Sequence, residues 1–310
     1  MYNLIKTTDI KAIKDIFNKF NLPKHNSYKG QNGKVLIIGG SLLFHAASLW
    51  SAEIASYFVD IVHYCSTKEN QRIFLNLKTK FRNGIIIHKK NLIEYVIEDD
   101  AILVGPGMIR KDILKMESKI LKMDVNNQKD LINIKDEGLY TYFLTKFLIY
   151  NFPQKKFVFD AGALQMMNKE WFLKLKTPAI ITPHQKEFEK LFNERIFGLK
   201  FEKKVDLVKK YAQDYKIIIL LKAIKDIISD GRDVYVIEGG NQGLTKGGSG
   251  DVLAGLVTSF YAKNYSLLSA VFASIILKKT ADFLFLEKGY WYNIKDIIEN
   301  IPKIFKKIIF

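Results

Sequence analysis

Five short runs of nearly unbroken apolar residues set the strongest limit on this fold: KVLIIGG (34–40), AILVG (101–105), FVFDAG (157–162), AIITP (179–183) and IIILLK (217–222). A strand with one wet face alternates polar and apolar residues, whereas a strand that is apolar throughout must be covered on both faces. IVHYC (61–65), GIIIH (84–88), DIIS (226–229) and DVYVIE (233–238) read as further strands. Helical spacing appears at 45–58, 187–192, 204–215, 251–262, 266–286 and near 294–308. Buried strands alternating with helices predict an α/β fold, with a mostly parallel central sheet between two helical layers.

In such folds ligands gather at the carboxyl ends of the strands. Gly39-Gly40-Ser41, Gly105-Pro106-Gly107, Asp160, Thr182-Pro183-His184 and Lys222 each fall directly after a predicted strand and are expected to converge on one edge. Residues 1–27, which mix Lys and Asp without the apolar core of a signal peptide, are read as an N-terminal helical extension. Residues 28–310 are read as one domain, interrupted by a polar, weakly helical insertion at 110–140.

The chain carries 48 Lys+Arg against 32 Asp+Glu, a net charge of +16. The lysines are spread along the whole chain without an arginine-rich tract, so nucleic acid is not the expected partner; attraction of anionic, phosphorylated small molecules is. A single cysteine, Cys65, excludes an internal disulfide and a cysteine-based zinc cluster, and points to a reducing cytoplasm. No stretch approaches the apolar length of a membrane span.

The chemistry concentrates in LTKGGSGDVLAG (244–255), where Gly247, Gly248, Ser249 and Gly250 lead into Asp251 and a helical pattern follows at once. Amides at a helix N-terminus lack intrahelical partners, the macrodipole adds positive charge, and glycines let an oxyanion approach closely. An aspartate there can take the proton of a hydroxyl beside the transferring phosphate. The plainer reading makes Asp251 a helix cap behind a turn, but a cap needs one residue and not four before it.

GGSGDVLAG resembles the anion-hole and catalytic-aspartate motif of the ribokinase-like superfamily. Within it the chain is similar to the ADP/ATP-dependent NAD(P)H-hydrate dehydratases, through KGQNGKVLIIGGS (29–41), VGPGMIR (104–110), FDAGAL (159–164) and ITPHQKEF (181–188), in that order across about residues 28 to 285. The resemblance implies a ribokinase-like three-layer α/β/α sandwich. It implies that hydrated NADH or NADPH (the S epimer) is phosphorylated on its ring hydroxyl by ADP or ATP, and that phosphate then leaves. Carried onto this sequence, Asp251 activates the hydroxyl, and Gly248, Ser249 and Gly250 hold the phosphoryl group. Ala47, Gly107 and His184 contact the hydrated dinucleotide. Lys222, Ala223, Ile224, Lys225 and Asp226, with Gly250, border the nucleotide, and Glu187 organises Mg²⁺ through water. A separate NAD(P)H-hydrate epimerase and a homo-oligomer, commonly a tetramer, are implied as well; residues 1–28 are too short to hold the fused epimerase domain of many bacterial relatives.

Taken alone, several of these residues have structural readings. His184 can cap the helix that follows, Glu187 can be a first-turn glutamate, and Lys222 a surface lysine. The sequence also departs from the family's pattern. Gly162 stands where a second aspartate is usual, Gln185-Lys186 replace Pro-Gly, Ala223 replaces Gly, and the GGS turn leads into Phe44-His45-Ala46-Ala47. The departures fall at the substrate end, so a kinase of a small vitamin-precursor alcohol and a non-catalytic nucleotide or RNA binder stay open beside the dehydratase.

Overall fold

The computed structural model describes residues 2–79, 81–111 and 127–310. Its strands are β1 (Asn3–Lys6), β2 (Lys34–Ile38), β3 (Ile61–Cys65), β4 (Gly84–Ile86), β5 (Ala101–Val104), β6 (Lys156–Phe159), β7 (Ile180–Ile181), β8 (Ile218–Leu221), β9 (Lys225–Ser229) and β10 (Val234–Glu238). They form one sheet in the order β1-β10-β9-β8-β7-β6-β5-β2-β3-β4. Every pairing is parallel except those of β9, which runs antiparallel to β8 and β10.

Alternate side chains of the central strands enter separate cores, as continuous apolar strands require. Val35, Ile37, Leu103, Val158 and Leu220 pack on one side; Leu36, Ile38, Val104, Phe159 and Leu221 pack on the other. The first layer holds α1 (Ile10–Phe17), α2 (Ala46–Ala55) and the C-terminal helices. Helix α3 (Lys68–Asn76) turns Phe74 into the first core, and the second layer includes α4 (Leu92–Glu98), α5 (Gln128–Asn133), α6 (Glu137–Asn151), α7 (Ala161–Met166), α8 (Gln185–Phe192) and α9 (Phe201–Tyr215). The C-terminal helices are α10 (Ser249–Lys263), α11 (Ser266–Lys288) and α12 (Ile294–Ile309). The expected three-layer α/β/α sandwich with a mostly parallel sheet is therefore what the chain forms. In α10, Val252 through Ala262 are all buried, so the helix that starts at the GGSGD turn runs through the first core.

The N-terminal segment differs from the helical extension expected of it. Asn3–Lys6 is an edge strand, in register with Tyr235–Glu238 of β10, and only Ile10–Phe17 is helical, capped by Asp9. Four residues with one buried side chain carry too little periodicity to announce a strand, and the neighbour supplies the pairing. Of the 110–140 insertion, residues 112–126 lie outside the described residues. Its far end is ordered: Asn127 caps α5, and Asp136 caps α6, whose N–H of Leu139 donates to Asp136 Oδ1 (2.9 Å). Helix α6 went unread in the sequence because it is apolar on nearly every side and its first turn merges with the charged stretch. Among the described residues no helix is long and apolar enough to cross a membrane.

Candidate active site

The turns that follow β2, β5, β6, β7 and β8 meet as expected. The Gly40 N–H donates to the Pro106 carbonyl (2.7 Å), Gly105 N–H to Ile38 O (3.1 Å), and Asp160 N–H to Val104 O (3.1 Å). His184 and Lys222 form a parallel bridge just past the ends of β7 and β8.

Asp160, at the end of β6, is buried, and its Oδ1 accepts from the Thr182 hydroxyl (2.8 Å) and from Lys222 Nζ (2.9 Å). Glu187, also buried, lies 4.0 Å from the same ammonium. One Glu187 oxygen accepts from Gln165 Nε2 (3.0 Å) and the other from the His184 N–H (3.0 Å). The Glu187 N–H in turn donates to His184 Nδ1 (3.2 Å). His184 and Glu187 thus close a reciprocal capping box on α8. The structural reading of both residues holds, and the His184 side chain still keeps half its surface exposed at the site.

The GGSGD turn faces this cluster. A Cβ at Gly250 would lie 3.4 Å from Lys222 Nζ, which puts that amine beside the first turn of α10. Among the described residues nothing accepts from the N–H groups of Gly250 or Asp251, whereas the Ser249 hydroxyl is used by the Leu244 (2.6 Å) and Lys246 (3.1 Å) carbonyls. The Ser249 N–H is itself given to the Lys246 carbonyl (3.4 Å), so the free amides of this turn are those of Gly250 and Asp251. Gly248 caps the helix at φ +109°, a conformation closed to most side chains, with the Trp50 ring packed where a Cβ would project. Gly248→Ala is expected to lower stability by about 1–3 kcal/mol through backbone strain and collision, read as a fall in melting temperature.

The Asp251 carboxyl is pushed up to about 7, first by burial, then by Asp160 and to a smaller degree Glu187, with Lys222 opposing. Burial alone would lower Lys222, but Asp160, Glu187 and Asp251 more than offset that and raise it, so the ammonium stays charged. One fixed cation and three carboxylates, one of them poised to exchange a proton near neutrality, is an arrangement suited to general-base work beside a phosphate.

Ala47 and Gly107 meet on the other flank of the turns: a Cβ at Gly107 would come 3.1 Å from Ala47 Cβ and 3.3 Å from Gly40 Cα. Gly162, the departure in FDAGAL, packs so tightly on the Met108 carbonyl that a Cβ there would collide with it, so an aspartate at this position would displace the 105–108 turn. Residues 222–226 form the β8–β9 hairpin. Ile224 at its tip is almost wholly exposed and Lys225 pairs with Glu238 (2.6 Å). Asp226 points inward, where its carboxylate accepts from Ala223 N–H (2.9 Å) and the Ser274 hydroxyl (2.7 Å) and pairs with Lys278 (3.5 Å). Lys278 also donates to the carbonyls of Ala223 (3.2 Å), Ile224 (2.9 Å) and Gly239 (3.3 Å). Asp226 therefore holds the hairpin in shape. Sequence reasoning missed Lys278, Ser274, Gln165 and Ser51, whose hydroxyl donates to the Asp251 carbonyl (2.8 Å). They sit inside helices and carry no motif; only the placement of Thr182 just after a strand was a usable signal.

Sheet, turns and helix N-terminus define an α/β protein of ribokinase-like fold with an aspartate at a helix start facing a buried Asp160–Lys222 pair. The chain belongs to the NAD(P)H-hydrate dehydratase family, whose model matches residues 35–303. It is 32% identical over 284 residues to the bifunctional NAD(P)H-hydrate repair enzyme Nnr of Methanocaldococcus jannaschii, covering 91% of this chain and 50% of that protein. Against the bifunctional enzyme of Archaeoglobus fulgidus the share is 52%, so the chain spans about half the length of these relatives. It is 29% identical to the ADP-dependent (S)-NAD(P)H-hydrate dehydratase of Nitrosopumilus maritimus, covering 91% of this chain and 92% of that one. Its fold is that of a ribokinase-like superfamily protein from Enterococcus faecalis (TM-score 0.75, 20% identity, 99% of this chain and 96% of that one). It is also that of the Bacillus subtilis ADP/ATP-dependent NAD(P)H-hydrate dehydratase co-crystallised with ATP/Mg²⁺ (TM-score 0.74, 18% identity, 96% and 97%).

Proposed function

We propose that this protein restores hydrated NADH and NADPH to the reduced dinucleotide, driven by ADP or ATP. The observation that carries the reading is Asp251, a partly buried carboxyl raised to about 7 at a helix start, where the Gly250 and Asp251 amides are free among the described residues, and facing Lys222. In this reading the hydrate's ring hydroxyl attacks the terminal phosphoryl group as Asp251 takes its proton. The amides of Gly250 and Asp251 and the Lys222 ammonium balance charge on the moving oxygens. Hydroxide is a poor leaving group and phosphate a good one. The ring nitrogen then donates its electron pair as the C–O bond breaks, phosphate leaves, and the iminium so formed loses a proton from the neighbouring ring carbon to regenerate the dihydropyridine. Ala47 and Gly107 supply a close-packed wall for the ring, His184 a polar contact, and the Lys278-braced hairpin a border for the nucleotide.

The residues fit a hard cation held through water. Glu187 is an oxygen donor whose two oxygens already accept from Gln165 and His184, and among the described residues no three ligand-type side chains cluster for direct coordination. Mg²⁺ held there would neutralise phosphate charge. The same reading gives the protein a cytoplasmic setting, a separate epimerase as functional partner and a homotetrameric assembly, for which exposed Leu42, Leu43 and Phe44 beside the GGS turn offer apolar surface.

The test follows purified protein with Mg²⁺, chemically hydrated NADH and either ADP or ATP at the absorbance of NADH. Recovery with one or both nucleotides is the expected result. Nucleotide consumption with a vitamin-precursor alcohol, and none with the hydrate, would replace the reading by a small-molecule kinase. The pH profile is a second check. Asp251 must be ionised to accept the proton, so kcat/KM is expected to fall as pH drops through about 7. A flat profile between about pH 6 and 8 would remove Asp251 as the base.

A further inference from the structure

Beside the Gly39–Gly40 turn lies a small recess that opens to solvent; Gly39, Gly40, Ser66, Thr67, Lys89 and Tyr140 are among its lining residues. It does not include the Asp160–Lys222–Asp251 cluster, but Gly40 in its lining packs close to Gly107, the residue assigned to the hydrated dinucleotide. Among the described residues the recess holds a cation in contact with no carboxylate. Lys89 Nζ lies 3.7 Å from the centre of the Tyr140 ring, and among the described residues it has no hydrogen-bond or carboxylate partner. Glu137, the acid on the same rim, gives one of its oxygens to the Leu42 N–H (2.9 Å). Lys135 adds a second positive charge at the edge. Burial lowers the Lys89 pKa, and the influence of Cys65, Glu137 and Glu69 does not restore it. An ammonium partly withdrawn from water and in contact with no anion gains from a ligand that supplies one. The Tyr140 face stabilises that charge in the meantime.

We propose that this recess is an anion site that takes a phosphate-bearing arm of the hydrated dinucleotide, with Lys89 as its specificity-determining contact. The proposal rests on the repair reading for the identity of the ligand. Two phosphates share this chemistry: the pyrophosphate of both dinucleotides, and the ribose phosphate that only the NADPH form carries.

Steady-state rates with hydrated NADH and hydrated NADPH, in wild type, Lys89→Met and Lys89→Arg, test it. Lys89→Met is expected to raise KM for the hydrate about tenfold or more, the loss of one charge-assisted hydrogen bond, while kcat and the nucleotide KM stay within about twofold. Lys89→Arg is expected to keep most of the affinity. Equal losses for both hydrates identify the pyrophosphate; a loss for the NADPH form alone identifies the ribose phosphate. A readout independent of turnover is calorimetric binding of ADP-ribose and its 2′-phosphate with saturating ADP present, expected to weaken in Lys89→Met and with added salt. If the hydrates are not turned over at all but this binding still depends on Lys89, the repair reading fails and the anion site stands. Unchanged KM and unchanged ADP-ribose binding in a folded Lys89→Met overturn the site. If that variant does not melt cooperatively, Lys135→Glu at the exposed rim serves instead, and unchanged affinity there overturns it equally.

Discussion

Asp251→Asn is expected to slow dehydration by about 10²- to 10⁴-fold at neutral pH, the range for removal of a general base. Asn keeps the size and the helix-start position but cannot accept the proton. The loss should fall on kcat with the nucleotide KM little changed, because the amides and Lys222 that meet the phosphate remain. A loss below about tenfold would contradict the role of proton acceptor. The same substitution carries a stability signature of opposite sign. The carboxyl of Asp251 is raised in the folded state to about 7 from an ordinary value of 3.8. Folding therefore favours the protonated form, and the stability present in acid is lost as pH rises through that window. Asp251→Asn removes the charge, so its gain in melting temperature should grow from about pH 4 to pH 7 and level off above. An enzyme stabilised and inactivated by one change is what a strained catalytic carboxylate produces.

Lys278→Met should be the most damaging single change outside the site, lowering stability by about 3–5 kcal/mol, the range for breaking one side of a buried ion pair. Lys278 and Asp226 are both almost fully buried, and Lys278 also holds the Ala223, Ile224 and Gly239 carbonyls. Removing it leaves a buried carboxylate with only the Ala223 N–H and the Ser274 hydroxyl. Adding Asp226→Asn to Lys278→Met should recover part of the loss in denaturant unfolding, because the uncompensated charge goes with it. Strict additivity would show that the two residues do not act as a pair. Because the hairpin borders the proposed nucleotide site, Lys278→Met should also raise the nucleotide KM while leaving the hydrate KM near wild type.

The sheet was legible because its strands are hidden on both faces. Runs such as KVLIIGG and AILVG need no partner to betray their burial, and the turns after them fell on one edge as that burial requires. The strand Asn3–Lys6 was not legible, since its identity lies in its pairing with β10 and not in its own pattern. Helix α6 was hidden for the opposite reason: it is apolar all round, and without a polar face there is no helical period to see. At the site, the Gly248–Asp251 turn was legible as a helix start because backbone geometry restricts which residues can stand there, whereas Glu187 and His184 were singled out through the resemblance and their capping reading is what the structure shows. Lys222 was placed at the sheet edge from its position after β8 and along the nucleotide only through the resemblance; its ammonium lies against Asp160 beside the Gly250 turn. Side-chain reach decides that, and no local spacing records it. Lys278 and Lys89 were invisible because a lysine in a basic chain looks like any other until its burial and missing partners are known.

The most direct test of the mechanism is to follow the ring oxygen. Hydrated NADH labelled with ¹⁸O at its ring hydroxyl is incubated with the protein, Mg²⁺ and ADP or ATP, and the released phosphate is analysed by mass spectrometry. Phosphorylation of the hydroxyl followed by C–O cleavage carries the label into inorganic phosphate, one labelled phosphate for each NADH regenerated. Label appearing in water, with unlabelled phosphate released, would mean that nucleotide hydrolysis and dehydration are separate events and that the hydroxyl is never phosphorylated.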